Sequence, residues 1–477
     1  MRGSWYVRFG IITVVPVFFY TATGASFLLD FPIFFVLGEF FLAFLWFQIC
    51  PHLKKTILIL STALVLFYMV FSWASQNNRV GFAFAQDRIV SLGGKLVEDS
   101  LLSRSGYQLL RVSLVDCATN DGAAGSAKGV VSLLSEVGEV LVSGSSIVCS
   151  GSFSDDGTLF FAEKLQVTDI PAFALLRRRV LQHLELRFHA IFPHEESRAL
   201  AMMLLLGRSS DDAFSLKDLS LSSGCAHILA LSGMHLQFFL SLSSIVCMHL
   251  FSKRKGRYIA LVVPLLFVLL AGPKPSLVRA MGMYLCSLFL WKGSSHSYYA
   301  YACTALVQTL LFPESLSSAG CLFSYAAYGG LLCANFINLY RPKSINALFV
   351  SLFAVLFTAP ASLLMTGTWQ IAGIFIAPLA SLLIFWAMAL SLLALLFGST
   401  FAIGVELLYH VLLSILEIGS RCFGGGFSWT GYLVYLLVVL TCLATIGYAE
   451  RVLHRRRRNS YELEVRVRFT DSNNQTA

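Results

Sequence analysis

Stretches long and apolar enough to cross a bilayer recur along this chain, at about 7–29, 32–50, 56–75, 225–250, 258–272, 275–291, 297–312, 318–338, 345–366, 370–397, 400–420 and 430–449. Such runs admit few folds, because backbone in hydrocarbon must satisfy its hydrogen bonds internally. Charged residues make up 13% of the chain, about half the roughly 25% of a soluble domain. The deficit is uneven, since about Gln76 to Asp169 reads as soluble. The expected fold class is a polytopic α-helical membrane protein of about twelve spans with an inserted soluble domain. The runs 258–272 and 275–291 could instead form a re-entrant pair around Gly272-Pro273-Lys274-Pro275.

Lys and Arg collect in the cytoplasmic loops of membrane proteins. Placing the N-terminus, with Arg2 and Arg8, in the cytoplasm also puts Lys54-Lys55, Lys253 to Arg257, Lys292, Arg341 to Lys343 and Arg455 to Arg458 there. The outer loops keep little beyond Lys274, Glu314 and Arg421. Both termini are then cytoplasmic and the soluble stretch lies outside, in an expected cytoplasmic (inner) membrane. The first apolar run reads as a retained span, because another follows at once. The net charge of +9 needs no nucleic-acid partner, since topology alone places most of the basic residues.

The soluble stretch reads as β. RIVSLGGKLVED, YQLLRVSLVDC, GVVSLLSE, EVLVSGSSIVCSGSF and LFFAEKLQVTD alternate in polarity and are separated by turn residues. Five strands of this length suggest a small OB-like barrel, although periodicity leaves other small β domains open. Its two cysteines, Cys117 and Cys149, would lie outside the cytoplasm, so a disulfide between them is expected. The following PAFALLRRRVLQHLELRFHAIF interleaves apolar residues with Arg177, Arg178, Arg179, His183, Arg187 and His189. This reads as an interfacial amphipathic helix whose basic face meets lipid phosphates, with nucleic-acid phosphates as the alternative. The resulting divisions are 1–75, 76–170, 171–223, 224–450 and a basic, then polar, tail at 451–477.

Three polar sets interrupt the apolar runs. CAHILALSGMHLQ carries His227, Ser232, Gly233 and His235. Eight residues separate the histidines, about 12 Å along a regular helix, too far to share one metal ion. Ser232-Gly233 can break the helix or admit a close neighbour. Lys274, Ser276 and Arg279 surround the head of another run, where free N–H groups attract anions. Arg279 either snorkels to the interface or faces a path and meets phosphate, with Lys274 a candidate phosphate contact. Glu406, His410, Ser414 and Glu417 lie four, four and three residues apart, on one helix face that should point into the bundle. Proton coupling and a structural hydrogen-bonded stripe are both open there.

The stretch SRALAMMLLLGRSSDDAFSLKDLSLSSGCAHILALSGMHLQ resembles the core of the ComEC family of competence membrane proteins. Gly207, Arg208, Gly224, His227, Ala230, Ser232, Gly233 and His235 occupy the matching positions. Pro275, Ser276, Arg279 and Ala280 match a second landmark, and Gly320-Cys321-Leu322-Phe323-Ser324-Tyr325 a third. Met234 and Leu236-Gln237 depart from the usual aliphatics, and Leu322 stands where the family has Gln. The resemblance covers about residues 76 to 450, and the OB-like domain before the core agrees with the family's architecture.

It implies a channel subunit that passes single-stranded DNA across the cytoplasmic membrane, with Arg208, His227, Ser232, Gly233, His235, Ser276, Arg279 and Ser324 along the path. Implied partners are single-stranded DNA, the lipid bilayer, a DNA-receptor protein, a separate nuclease, a cytoplasmic ATPase or helicase, and further copies of the chain. Many members carry a metallo-β-lactamase-like domain, but this sequence has no His-x-His-x-Asp-His cluster. No metal, cofactor or catalytic residue is therefore expected. Nor is there a Gly-x-x-x-x-Gly-Lys-Ser/Thr loop for ATP. Between Gln76 and Ile170, seven Lys/Arg face eleven Asp/Glu, which opposes simple phosphate binding by that domain. The rival readings are a carrier for a small or lipid-like solute coupled through Glu406 and His410, and a membrane scaffold that recruits an envelope partner.

Overall fold

The computed structural model describes residues 54–422, except 103–106, 137–139, 156, 209–213, 230, 290–295, 338–342, 367–369 and 371. The expected spans at 7–29, 32–50 and 430–449 and the tail at 451–477 lie outside the described residues. Helix α1 (Lys54–Asn78) leads into strands β1 (Gly81–Phe82), β2 (Ile89–Leu96), β3 (Leu101–Leu102), β4 (Tyr107–Thr119), β5 (Ala124–Lys128), β6 (Val130–Glu136), β7 (Ser146–Phe153) and β8 (Leu159–Asp169).

Five of these strands close into a barrel. β4 pairs with β2, β2 with β7, β7 with β8, β8 with β6 in parallel, and β6 with β4. This is the small Greek-key barrel expected of an OB-like domain. The alternation in β4 sends Leu110, Val112 and Leu114 inward, where they pack with Leu92, Leu133, Ile147 and Phe160. Curling this few strands requires close approach. A Cβ on Gly151, beside a register shift, would lie 1.8 Å from the Phe161 carbonyl oxygen.

The expected disulfide is not formed. Cys117 and Cys149 are buried free thiols. Both register with Leu92, Cys117 from β4 on one side and Cys149 from β7 on the other. Their backbones are thus two strand spacings apart, about 9.6 Å, beyond the roughly 7 Å a disulfide tolerates. Cys149 Sγ instead reaches the Leu92 carbonyl at 3.5 Å, and burial pushes its thiol up to about 11.

Helices follow the barrel: α2 (Ala172–Ile191), α3 (Glu195–Leu206), α4 (Phe214–Ser222), α5 (Ala226–Leu229), α6 (Gly233–Leu250), α7 (Lys253–Ile259), α8 (Val262–Ala271), α9 (Pro275–Phe289), α10 (His296–Leu311), α11 (Ala319–Ile337), α12 (Lys343–Thr366), α13 (Gly373–Phe397) and α14 (Ala402–Cys422). Among the described residues three stretches are long and apolar enough to cross a membrane: α6, α13 and Ser399–Arg421, which contains most of α14. Helices α8 and α9 have 10 and 15 residues, fewer than the roughly 20 a crossing helix needs. They are joined through Gly272, Pro273 and Lys274, and α9 ends where the described residues stop.

The helices form two apolar clusters. Residues of α3, α6, α8, α13 and α14 make the first, including Leu204, Leu236, Phe267, Ile384 and Tyr409. Residues of α1, α10, α11 and α12 make the second, including Phe71, Tyr301, Tyr325 and Phe357. Helix α9 serves both, giving Leu277 and Met281 to the first and Met283 to the second. Arg279 is therefore on the one described helix whose side chains are divided in this way.

Two expectations change here. Arg177 on α2 does not belong to an interfacial basic face; it is buried and paired to the barrel. Arg179, His183, Arg187 and His189 are exposed, beside exposed Phe173, Leu176 and Leu186, as an interfacial helix requires. The polar stripe on α14 does not point into the described bundle either. Val405, Tyr409, Leu412 and Leu416 fill that side, whereas His410 and Ser414 are exposed. Glu406 lies 3.4 Å from His194, and Glu417 lies 3.9 Å from Arg421. The four-residue spacing set a common face correctly, but the larger apolar face took the core.

Candidate functional site

The chain breaks between α5 and α6, and the break is built by its own side chains. Ser232 is extended and caps α6: its Oγ accepts from the Met234 N–H at 3.3 Å, and its own N–H donates to His235 Nδ1 at 3.1 Å. This is a capping box with histidine in the position usually held by Glu or Gln. Because Nδ1 accepts a backbone N–H, it carries no proton, and the neutral ring holds its hydrogen on Nε2. His235 is fully buried, and Nε2 has no hydrogen-bond partner among the described residues.

Neighbouring segments close on this break. Ser276 donates to the Leu231 carbonyl. Gly207, left-handed at φ +70, ends α3, and its carbonyl accepts from Lys274 Nζ at 2.6 Å. A Cβ there would approach Leu231 Cδ1 to 2.4 Å and Lys274 Nζ to 2.9 Å, so glycine serves both backbone and space. Gly224, left-handed at φ +75, and Gly373 meet where α13 begins, since a Cβ on Gly373 would lie 2.8 Å from the Gly224 oxygen.

Arg279 crosses from the break towards the second cluster and is 7% exposed. Its Nε donates to Ser324 Oγ at 2.7 Å, and its guanidinium carbon lies 4.7 Å from the Tyr328 ring centre. A Cβ on Gly233 would sit 3.5 Å from Arg279 Nη2, in ordinary contact. Behind Arg279, Tyr301 donates to the Tyr325 carbonyl at 2.7 Å, Tyr325 donates to Gln308 at 2.9 Å, and Gln308 reaches back to Pro275 at 3.3 Å. Among the described residues no carboxylate lies within ion-pair distance of Arg279. Its partners are a hydroxyl, an aromatic face and a thioether. Buried cations are normally paired, because desolvation is costly.

The structure thus brings together Ser232, Gly233, His235, Lys274, Ser276, Arg279 and Ser324. Arg208 turns elsewhere: it pairs with Glu185 on α2 and fixes that helix to the end of α3. The side chain of His227 lies outside the described residues. Glu406, His410, Ser414 and Glu417 are not part of this cluster.

Sequence reasoning missed the next shell. Asp99, just after β2, holds Arg177 by two hydrogen bonds of 2.7 and 2.6 Å. Arg177 Nε donates to the Leu270 carbonyl at 2.9 Å, next to the turn that carries Lys274. Burial works to raise the Asp99 pKa, but Arg177, the Ser143 N–H and Lys274 together bring it below the ordinary carboxylate value. No local pattern joins residues so far apart in the chain. Gln308 and Tyr325, by contrast, were polar signals inside apolar runs.

A family model described as "Competence protein" matches residues 204–452, more than half of the chain and all of the polar cluster. No curated protein and no solved structure matches the chain.

Proposed function

The chain belongs to the Competence protein family, and from that premise we propose that it is a channel subunit passing single-stranded DNA across the cytoplasmic membrane during DNA uptake. The family is one of membrane proteins and points to DNA uptake; the strand-conducting role is the finer reading. One observation carries it: among the described residues Arg279 is a buried guanidinium held only by neutral groups, at the helix shared by two apolar clusters. A fixed cation without a carboxylate is suited to a passing anion, because nothing competes for its charge. His235 Nε2 adds a buried donor with no acceptor among the described residues, and Tyr328 offers a half-buried aromatic face. Phosphate-directed donors beside stacking surfaces are what single-strand conduction requires.

The path in this reading is the seam between the clusters, with the barrel outside the membrane at one end and Lys253 to Arg257 at the cytoplasmic side. The carrier reading gains nothing from the described residues, since Glu406 and His410 lie away from the seam. The scaffold reading does not account for Arg279.

The test is uptake of labelled DNA by cells carrying Arg279→Ala at unchanged membrane abundance. Losing one charge-assisted contact, worth about 1.5–3 kcal/mol, predicts a fall of roughly tenfold or more. Arg279→Lys should restore only part, because an ammonium neither forks nor stacks as a guanidinium does. Normal uptake in both Arg279→Ala and His235→Ala would remove the proposal.

A further inference from the structure

The Asp99–Arg177 pair lies where the barrel meets the head of the seam. The two Asp99 oxygens bind the two terminal nitrogens of Arg177 side by side. The Ser143 N–H, from a second barrel loop, donates to Asp99 at 2.9 Å and holds it in place. On the other side, Arg177 is fixed by the Leu270 carbonyl and packs on Gly272, where a Cβ would lie 2.9 Å from Nη2. Lys274 follows two residues later, with its Nζ on the Gly207 carbonyl at 2.6 Å. Arg279 is five residues further, about 7.5 Å of helical rise into the seam. The side chains of Arg177 and Asp99 are only 5% and 15% exposed.

Two parallel hydrogen bonds from a guanidinium to a carboxylate have the geometry of a guanidinium on the two free oxygens of a phosphodiester. We propose that Arg177 and Lys274 form a phosphodiester-binding station at the barrel end of the seam, occupied by Asp99 as an internal substitute that an incoming DNA strand displaces. The inference rests on the single-strand reading above and adds its entry step. It also gives the acidic balance of the barrel a role. Asp99, with Glu98 beside it paired to Arg111 at 2.9 Å, brings negative charge to the basic mouth until a polyanion competes. A lipid headgroup offers the same phosphodiester, but Arg177 is buried under a barrel loop rather than presented with the exposed basic residues of α2. That placement favours the strand.

The full chain in nanodiscs of zwitterionic lipid is titrated with a fluorescent 20-nucleotide oligothymidylate across a range of salt. Asp99→Asn is expected to tighten binding by roughly tenfold, within the usual range of coupling between competing sites. It should also steepen the dependence of log affinity on log salt by about 0.7, for the one phosphate neutralised at the station. The double substitution Asp99→Arg with Arg177→Asp keeps an ion pair but removes the station. It should restore docking of the barrel, read by a spin-label distance to α9, without tightening binding. An unchanged salt slope in Asp99→Asn, or tightened binding by the swapped pair, overturns the station and leaves the contact a strut. A gain that vanishes when anionic lipid is added assigns the site to headgroups and overturns it too. If wild type binds and Arg279→Ala weakens it while Asp99→Asn matches wild type, the station alone falls. No binding by any form removes both proposals.

Discussion

Gly207 and Gly233 flank the same break but are required to different degrees. Gly207 has a positive φ, and a Cβ would meet Leu231 and the Lys274 ammonium. Gly233 is the first residue of α6, and a Cβ would find ordinary contacts with Ala280 and Arg279 at 3.4 and 3.5 Å. The close approach that Ser-Gly suggests is thus made by Ser232 leaving the helix, not by an absent side chain. Gly207→Ala should lower unfolding stability by about 1–2 kcal/mol, the cost of left-handed backbone in an L-residue. Gly233→Ala should stay within about 0.5 kcal/mol of wild type. Thermal unfolding of the purified variants checks both, and a large loss in Gly233→Ala would return the close-packing role to that glycine. His235 shows a limit of residue-level reading. Its type and place were visible in the sequence, but not that Nδ1 is used in a cap while Nε2 is left as a buried donor.

At the level of elements, alternation located all five barrel strands, because a period of two reports which face of a strand is buried. Cys117 and Cys149 both lie on the buried face. Alternation could not report that β2 lies between their strands, and that order rules out the disulfide. Two free thiols are therefore expected from the domain: unreduced protein, unfolded in the presence of a maleimide, should be labelled at both Cys117 and Cys149. Labelling at neither would restore the bridge. The same limit applies to α14, where spacing gathered Glu406, His410, Ser414 and Glu417 on one face, yet packing gave the core to Val405, Tyr409, Leu412 and Leu416. For α8 and α9 the sequence left two geometries open, full spans or a re-entrant pair.

Across the molecule, the barrel is tied to the helical core through Asp99, Arg177 and the Leu270–Lys274 turn. Asp99 has a folded pKa below its ordinary value of 3.8. Its contribution to the junction is therefore complete above about that pH and is lost as pH falls through the lower folded value. Stability attributable to the junction should be flat from neutral pH to about 4 and decline below it. Arg177→Ala should weaken that acid-dependent part. Barrel–core spin-label distances followed from pH 7 to 3 provide the measurement, and an acid response unaltered in Arg177→Ala would assign the decline to other carboxylates.

The sequence by itself determined the membrane-protein class, the five strands of the soluble domain and the family, because burial period, charge distribution and short motifs are local quantities. It left open the closure of those strands into a barrel and the choice between a break and a close approach at Ser232-Gly233. Most of the seam residues were named from their order in the chain. Only the tertiary structure decided that Arg279 meets no carboxylate among the described residues, that Arg208 is taken by Glu185, and that Asp99 reaches Arg177 beside the Leu270–Lys274 turn. Those outcomes depend on which distant side chains meet when α9 is shared between two clusters and a barrel loop packs over its head. Contact across such separations is set by competition among all buried faces, which no local pattern records.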